Sequence, residues 1–186
     1  MEKIKTIKRA QLLMSAGEVG PVWRVSQGIF RIERVGLDGL SLVQLGLPGD
    51  LLGVESLCAE PYAYTVTAIT SGEAKLQTVN GDLSQFGVVA KAYLQQQRRT
   101  YDMMKLRGGP VKDRLAHFLM LLARNEDGTH RELDRSDLPV LKDIAAILDI
   151  TTETVCRELK AFMPAREHKK QVYEAWETEQ HLALAA

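Results

Sequence analysis

The amino-terminal part of the chain consists of short apolar runs separated by turn residues. Phe30 and Ile32 alternate with Arg31 and Glu33, which is the pattern of a strand with one buried face. Similar runs, rich in Val, Ile, Thr, Leu and Tyr, occur at 22–25, 40–45, 64–69 and 74–79. Gly, Pro, Asn and Asp separate these runs at a spacing of about ten residues. We therefore predict an all-β sandwich or small barrel over residues 1–81.

The pattern changes at Asp82, where a long helix is predicted to begin. Residues 83–107 contain no Pro and a single Gly. Their side chains form two adjacent stripes at helical spacing, Phe86, Val89, Tyr93, Gln96, Thr100 and Met103 in one and Ala90, Leu94, Gln97, Tyr101 and Met104 in the other. Two stripes predict a helix with two contact surfaces, its own β domain and a partner helix. The polar run 95–100 favours such a dimer over the alternative, a helix buried within a monomer.

A hinge and a second, helical domain are predicted to follow. Gly108-Gly109-Pro110 is a combination that ends a helix. Further helices are predicted at 111–123, 139–148 and 152–162, with a polar connection at 125–137. The predicted organisation is therefore a β domain at 1–81, a dimerisation helix at 82–107, a hinge at 108–110 and a helical domain at 111–186.

The last two predicted helices have the spacing of a helix-turn-helix. Asp149 lies at the turn, where Gly is the commonest residue, and Thr151 or Thr152 can cap the second helix. The side chains expected inside the bend are apolar or small: Ile144, Ala145, Leu148, Ile150 and Val155.

The second helix of such a motif enters the major groove of DNA with its first residues foremost. Glu153 and Arg157 lie four positions apart and therefore share one face. Glu accepts a hydrogen bond from cytosine N4, and Arg donates a fork to guanine O6 and N7. The alternative is a helical hairpin in which Glu153 and Arg157 form a surface ion pair.

Three motifs in sequence order give the chain a specific resemblance. The run TETVCREL at 152–159 closely resembles the recognition helix of the CRP/FNR superfamily of bacterial transcription regulators. GIFRI at 28–32 and LPGDLLG at 47–53 resemble the β-roll core of the sensor domain in that family. The resemblance extends from about Gly17 to Phe162 and implies an α+β fold. In that fold an N-terminal β-roll (double-stranded β-helix) sensor domain, a long dimerisation helix and a C-terminal helix-turn-helix domain follow one another.

The resemblance also implies partners and site residues. The expected partners are double-stranded DNA, a second copy of the chain in a homodimer, and RNA polymerase. The FNR branch carries Ser where Cys156 stands, and that Ser contacts DNA. The residues expected at the DNA are Thr151, Thr152, Glu153, Cys156, Arg157 and Lys160. By position, candidates for an effector pocket are Gly53, Val54, Glu55, Ser56 and Thr100, although the loop residues among them could equally be surface residues.

Departures from the family pattern leave the effector unassigned. In cyclic-nucleotide sensors Glu would follow Gly53 and an Arg would come about ten residues later to hold the phosphate. Here Val54 follows, and 59–69 contains neither Arg nor Lys. Cys58 and Cys156 are too few for the four-cysteine iron–sulfur cluster, and the first 116 residues contain no haem-ligating His. The sequence therefore implies no cofactor.

The carboxyl-terminal end departs from the family as well. Met163-Pro164 interrupts the chain where the family forms a two-stranded wing, and 166–184 lacks the alternation of strands. We expect a polar helix there, so the wing is predicted to be atypical or missing. Between 157 and 170 the local charge is positive, with Arg157, Lys160, Arg166, Lys169 and Lys170 placed where phosphates would lie.

Composition and charge restrict the class of protein without assigning a function. The 186 residues carry 24 basic and 24 acidic side chains, and no apolar run is long enough to cross a membrane. No secretory signal is predicted at the N-terminus, so a cytoplasmic protein is expected. Residues 108–186 carry 11 Lys and Arg against 14 Asp and Glu, which is unusual for a DNA-binding domain.

Two other functions therefore remain as alternatives. The charge deficit and the expected lack of a wing favour a small-molecule-binding β-roll whose helical tail mediates protein contacts only. An enzyme of the double-stranded β-helix type comes third, because the β domain lacks the His cluster that would bind its metal. The chain is thus expected not to be an enzyme.

Overall fold

Eight short strands form the first part of the fold. The computed structural model describes residues 3–36 and 39–163. The strands are β1 (Ile4–Ile7), β2 (Leu12–Met14), β3 (Trp23–Gln27), β4 (Phe30–Gly36), β5 (Gly39–Gly46), β6 (Leu51–Leu52), β7 (Thr65–Ala68) and β8 (Gly72–Leu76). They pair antiparallel in two four-stranded sheets, with the orders β1-β8-β3-β6 and β2-β7-β4-β5.

The two sheets enclose an apolar core, because alternate side chains of each strand point inward. Phe30 and Ile32 of β4 are buried, as the alternation predicts. Val66 and Ala68 of β7 are buried beside them. The predicted strand runs are therefore confirmed, whereas β1, β2 and β6 were not predicted. β6 is two residues long, too short for any alternation to be visible in the sequence.

Four helices follow the sheets. They are α1 (Asp82–Arg107), α2 (Val111–Leu122), α3 (Leu141–Leu148) and α4 (Thr152–Phe162). Between α1 and α2, Gly109 has a φ of 79°, a left-handed conformation that favours glycine. α3 begins at Leu141 rather than at residue 139, because Val140 before it has an extended backbone with ψ of 149°.

The helices share a core with the β sheets. Side chains of the β domain lie in the same apolar cluster as the end of α1 and the inner faces of the other helices. The buried members of that cluster are Ile29, Leu45, Leu47, Ile69, Met103, Leu106, Leu115, Phe118, Leu121, Leu122, Ile144, Ala145, Ile147, Leu148, Val155 and Leu159. The α+β class is thus confirmed. Because the core crosses the predicted domain boundaries, the division of the chain into domains stays a prediction.

α1 packs on the β domain through a face that the sequence did not indicate. Its buried residues are Val88, Arg99, Met103 and Leu106. Of the two predicted stripes, only Met103 is buried, and Phe86 of the first stripe is 73% exposed. Val89, Tyr93 and Gln96 of that stripe line a cavity between α1 and the β domain. The expectation that one stripe would pack against the β domain is therefore met only in part. The inner face contains polar side chains, which an apolar pattern cannot reveal.

Candidate DNA interface and effector pocket

The turn between α3 and α4 has the geometry of a helix-turn-helix. Asp149 ends α3 in the left-handed conformation, with φ of 53° and ψ of 54°. The backbone N–H of Ile150 then donates to the carbonyl of Ala145, at 3.1 Å, which closes the last turn of the helix. The side chains predicted to fill the bend are buried or partly buried, namely Ile144, Ala145, Leu148, Ile150 and Val155. This part of the prediction is confirmed.

α4 begins at a side-chain cap and presents a polar face. The hydroxyl of Thr151 accepts a hydrogen bond from the backbone N–H of Thr154 at 3.2 Å. Glu153 lies in the first turn, where the helix dipole favours a negative charge. Val155 and Leu159 are buried on the side that meets the other helices. On the opposite side of α4, Glu153, Arg157 and Lys160 are exposed.

The residues predicted to contact DNA are gathered on or beside this polar face. Five of them are exposed and Cys156 is half-buried; the exposed ones are Thr151, Thr152, Glu153, Arg157 and Lys160. Arg157 Nε lies 3.2 Å from Oε1 of Glu158. The ion pair between Glu153 and Arg157, considered as an alternative to DNA reading, is not formed. Because the pair with Glu158 is at the surface, it is weak and can be exchanged for a base contact.

The end of α4 is tied to the connection before α3. The guanidinium of Arg135 donates to the carbonyl of Met163 through both Nε and Nη2. This contact holds the last residue that the structure describes. The predicted basic residues Arg166, Lys169 and Lys170, and the predicted polar helix in place of a wing, lie outside the described residues.

A cavity of about 350 Å³ lies between the β domain and α1. Gly53, Val54 and Glu55 line it, together with Tyr64 of the β domain and Tyr93 of α1. Two further candidates do not line it. The hydroxyl of Ser56 donates to the carbonyl of Gly53 at 2.8 Å, and that of Thr100 donates to the carbonyl of Gln96 at 2.9 Å.

The lining of this cavity suits a ligand without a phosphate. Among the described residues that line it, Glu55 is the single charged one and there is no Lys or Arg. Gln44, Gln95 and Gln96 carry amide groups there, of which that of Gln95 bonds the backbone of Leu51, and most of the other lining residues are apolar. A phosphate would have no charge partner there, as the sequence predicts.

The ring of Tyr62 lies against Gly53, the first residue of the loop that carries the pocket candidates. Its hydroxyl donates to the carbonyl of Pro21 at 2.7 Å. A Cβ at Gly53, whose φ is 73°, would lie 2.5 Å from the ring, and one at Gly20 would lie 2.3 Å from the hydroxyl. Burial raises the pKa of Tyr62, and the nearby carboxylates of Glu55 and Glu18 add to the rise, although a hydrogen bond with Trp23 opposes it. Any side chain at Gly20 or Gly53 would therefore clash with Tyr62.

A buried ion-pair network joins the β domain to α1 and α2. It was not predicted from the sequence. Arg99 donates from Nε and Nη2 to the two oxygens of Asp50, at 2.7 and 2.9 Å, and from Nη1 to Asp102 at 2.5 Å. The other oxygen of Asp102 lies 3.1 Å from Nε2 of His117 on α2. Burial would lower the pKa of Arg99, but hydrogen bonds and charge from Asp50 and Asp102 raise it. The sequence could have indicated this network only through Arg99, a charged residue at the spacing of the buried face.

A metal centre and a membrane-spanning helix are both absent from residues 3–36 and 39–163. No group of three or more His, Cys, Asp and Glu side chains there could hold a metal ion. No helix of that part is long and apolar enough to cross a membrane.

Solved structures provide the comparison with known proteins, since no protein-family model and no curated protein sequence matches the chain. TTHB099, a CRP-family transcriptional regulator of Thermus thermophilus, is 26% identical with a TM-score of 0.62, over 84% of this chain and 83% of that one. TTHA1359, a CRP/FNR-family regulator of the same organism, is 20% identical with a TM-score of 0.55, over 86% and 84%. FixK2 of Bradyrhizobium japonicum is 23% identical with a TM-score of 0.60, over 87% and 84%.

Each of these structures aligns with more than four fifths of the chain, so no alignment is confined to the β domain. The two Thermus proteins are described as transcriptional regulators, which fits the expectation that this chain is not an enzyme. The chain therefore has the fold of the CRP/FNR transcriptional regulators, and the resemblance predicted from its sequence is confirmed.

Proposed function

We propose that this chain is a homodimeric transcription regulator that binds an inverted-repeat site in double-stranded DNA through α4. The observation that carries the proposal is the exposed polar face of α4, which a capped N-terminus and a left-handed turn present away from the buried Val155 and Leu159. In this arrangement Arg157 reads a guanine and Glu153 contacts a cytosine, within a TGA-like core as the family pattern implies. The two half-sites lie about 34–36 Å apart, one turn of DNA.

The other residues of this face have supporting roles. Thr151 and Thr152 are at the N-terminus of α4, where backbone N–H groups bind phosphate oxygens. Lys160, one turn beyond Arg157, contacts the phosphate backbone. Cys156 makes a mostly apolar contact, since a thiol is a weak hydrogen-bond donor. The half-buried position of Cys156 fits a contact with a thymine methyl group.

The exposed stripes of α1 supply the dimer contact. Phe86, Tyr93, Leu94, Tyr101 and Met104 are large apolar residues that are more than half exposed on one helix. An exposed apolar stripe of this length is unusual for a monomer, and a two-stranded helix pair would bury it. RNA polymerase is a further partner implied by the family, and the protein acts in the cytoplasm.

An effector acts through the cavity between the β domain and α1. Among the described residues its lining has no Lys or Arg, which implies a small, largely apolar ligand whose polar groups meet Glu55 or Gln44. The helix-turn-helix is docked on the β domain by the shared core and by the ion pair between Arg31 and Asp143, at 3.2 Å. Binding of the effector shifts the equilibrium between DNA-competent and incompetent arrangements about the hinge.

Selection of bound sites from random DNA, with and without cell extract, tests the proposal. The wild-type protein is expected to select an inverted repeat. Arg157→Ala should cost about 1–3 kcal/mol and lose the preference at one base pair, whereas Lys160→Ala should weaken binding to all sequences and reduce its salt dependence. Arg34→Ala, an exposed residue of β4, serves as the control. If Arg157→Ala selects the same sites as the wild type, α4 is not the recognition helix.

The second candidate, a small-molecule-binding β-roll whose helical tail mediates protein contacts, rests on the excess of acidic residues in 108–186. It predicts that no DNA is enriched in the selection, with or without cell extract. The same experiment therefore separates the two functions.

A further inference from the structure

A second, smaller cavity of about 180 Å³ lies where β3, the turn before β6, α1 and the end of α2 meet. Half of the residues that line it are cationic, and its single acidic residue is Asp50. The cationic residues are Arg24, Lys91, Arg98, Arg99 and Arg124. This cavity adjoins the candidate effector pocket and shares Leu51 and Gln95 with it, but among the described residues the effector pocket is lined by no cation.

Most of the positive charge in this cavity is not neutralised by the protein. Asp50 is fully engaged, because both of its oxygens accept from Arg99 and one also accepts from the backbone N–H of Leu47 at 2.8 Å. Within the described part of the chain, no carboxylate forms an ion pair with the other four cations. Arg24 donates only to the neutral amide of Gln77, at 3.1 Å.

Arg124 provides an independent indication that an acceptor is missing. Its Nε is buried and has no hydrogen-bond partner, the sole side-chain atom of this kind among the described residues. A buried guanidinium nitrogen without an acceptor is unfavourable, and such groups commonly meet an ion or water. A ligand with several acceptor oxygens would satisfy the guanidinium of Arg124.

The neighbouring cleft serves as an internal comparison. Arg124 also lines a larger polar cleft of about 690 Å³ between the β domain and the helix-turn-helix. Apart from Arg124, each cation there has an acidic partner, with Lys75 Nζ 3.5 Å from Glu126 and Arg131 Nη1 2.9 Å from Asp137. The cations without a carboxylate partner are therefore concentrated in the smaller cavity, which adds Arg24, Lys91 and Arg98 to Arg124.

We propose that the smaller cavity binds a phosphate group, either inorganic phosphate or the phosphate of a small metabolite. Arginine forks match phosphate oxygens in pairs, and four unpaired cations suit a dianion better than a carboxylate. The site takes Arg24 from the β domain, Lys91 and Arg98 from α1, and Arg124 from the end of α2. Because all three parts contribute cations, the bound phosphate stabilises their docked arrangement.

Thermal unfolding and calorimetric titration of the full chain test the site without DNA, so the outcome is independent of the proposed regulatory function. The probes are inorganic phosphate, pyrophosphate and glucose 6-phosphate, each compared with chloride at equal ionic strength. Saturable binding with a raised unfolding temperature is expected for at least one of them. Tighter binding of glucose 6-phosphate identifies a metabolite phosphate as the preferred source, and equal or weaker binding identifies phosphate itself.

Two variants and a control locate the binding. Arg98→Gln, at an exposed position, and Arg124→Gln should each weaken it by about tenfold or more. Arg34→Gln, outside the cavity, should leave it unchanged. The proposal is overturned if phosphate acts no differently from chloride, or if Arg98→Gln binds as the wild type does. It is also overturned if Arg98→Gln weakens DNA binding equally for all sequences in phosphate-free buffer, since the cations would then serve the DNA backbone.

Discussion

Breaking the buried ion pair between Asp50 and Arg99 should lower the free energy of unfolding by an amount that follows from its burial and geometry. Asp50 is 3% exposed and Arg99 is 2% exposed, and two short hydrogen bonds join them. Arg99→Met keeps the apolar stem but removes the guanidinium, so the carboxylate of Asp50 stays buried with only the amide of Leu47 as a partner. Removing one partner of a buried pair costs about 3–5 kcal/mol in the free energy of unfolding.

The opposite change should cost less. In Asp50→Asn, Arg99 keeps its hydrogen bond to Asp102, and no bare charge is left behind. We expect a loss of about 1–3 kcal/mol, the cost of disturbing one buried hydrogen-bonded group. In the double variant the carboxylate is absent when the guanidinium is removed. The loss should therefore be smaller than the sum of the single losses by about 1–3 kcal/mol.

Urea unfolding at a fixed protein concentration measures these differences. Far-ultraviolet circular dichroism and tryptophan fluorescence should give coincident transitions if the unfolding is two-state. With a slope of about 1–3 kcal/mol per molar urea, Arg99→Met should lower the midpoint by about 1 M or more. Arg107→Met, at an exposed position of α1, is the matched control. A loss below about 1 kcal/mol for Arg99→Met, or additive losses in the double variant, would refute this account of the pair.

The pair should hold from neutral to mildly alkaline pH. Burial alone would lower the pKa of Arg99. The hydrogen bonds and charges of Asp50 and Asp102 outweigh burial and raise this pKa above its ordinary value. A group with a raised pKa contributes stability that is present at low pH and is lost only as the pH rises through that value. For an arginine this loss lies beyond the physiological range. The difference between Arg99→Met and wild type should therefore not change between neutral and mildly alkaline pH.

Substitutions at the exposed face of α1, at Cys156 and at Gly53 test the dimer, the DNA contact and the packing of Tyr62. Met104 is 67% exposed, so Met104→Asp should convert the dimer to a monomer in light scattering without loss of fold, whereas Met103→Asp should lower the unfolding temperature because it places a charge in the core. A wild-type monomer at micromolar concentration would end the dimer proposal. Cys156→Ser should bind the same DNA site at least as well; loss of binding with peroxide in wild type but not in the variant would identify a redox switch, and equal behaviour would identify an inert residue. Gly53→Ala should destabilise the fold by at least about 1 kcal/mol in urea, because of its left-handed backbone and its contact with Tyr62; unchanged stability would contradict the packing.

The helix-turn-helix could be predicted from sequence because its determinants are local. Val155 follows Ile144 by eleven positions, and the turn, the cap and the buried side chains all lie between α3 and α4. Asp149 was the residue that fitted least, since Gly is commonest there. It adopts the left-handed conformation nonetheless, which Asp tolerates better than most residues with a Cβ. A local pattern therefore identified both the motif and the position at which its backbone is strained.

The inner face of α1 could not be predicted, because its partners are distant in sequence. By its pattern alone, the polar run 95–100 is predicted to face solvent or a partner helix. Instead Gln95 bonds both the N–H and the carbonyl of Leu51, 44 positions away, and Arg99 bonds Asp50 at a separation of 49. Polar side chains can line a buried face when each group finds a partner. Only the fold supplies those partners, so a hydrophobicity pattern missed the polar part of the inner face of a helix that it had bounded correctly.

The polar part of that inner face bears on how such a protein could transmit a signal. An apolar seam between α1 and the β domain would allow small sliding movements at little cost, since dispersion contacts are not directional. The hydrogen bonds from Arg99 to Asp50 and Asp102, and the contact of Asp102 with His117, have fixed geometry instead. A movement of the turn at Asp50 must therefore either break this network or carry α1 and α2 with it. A network that resists partial displacement favours two discrete arrangements over a continuum, which is what a regulator with an on and an off state requires.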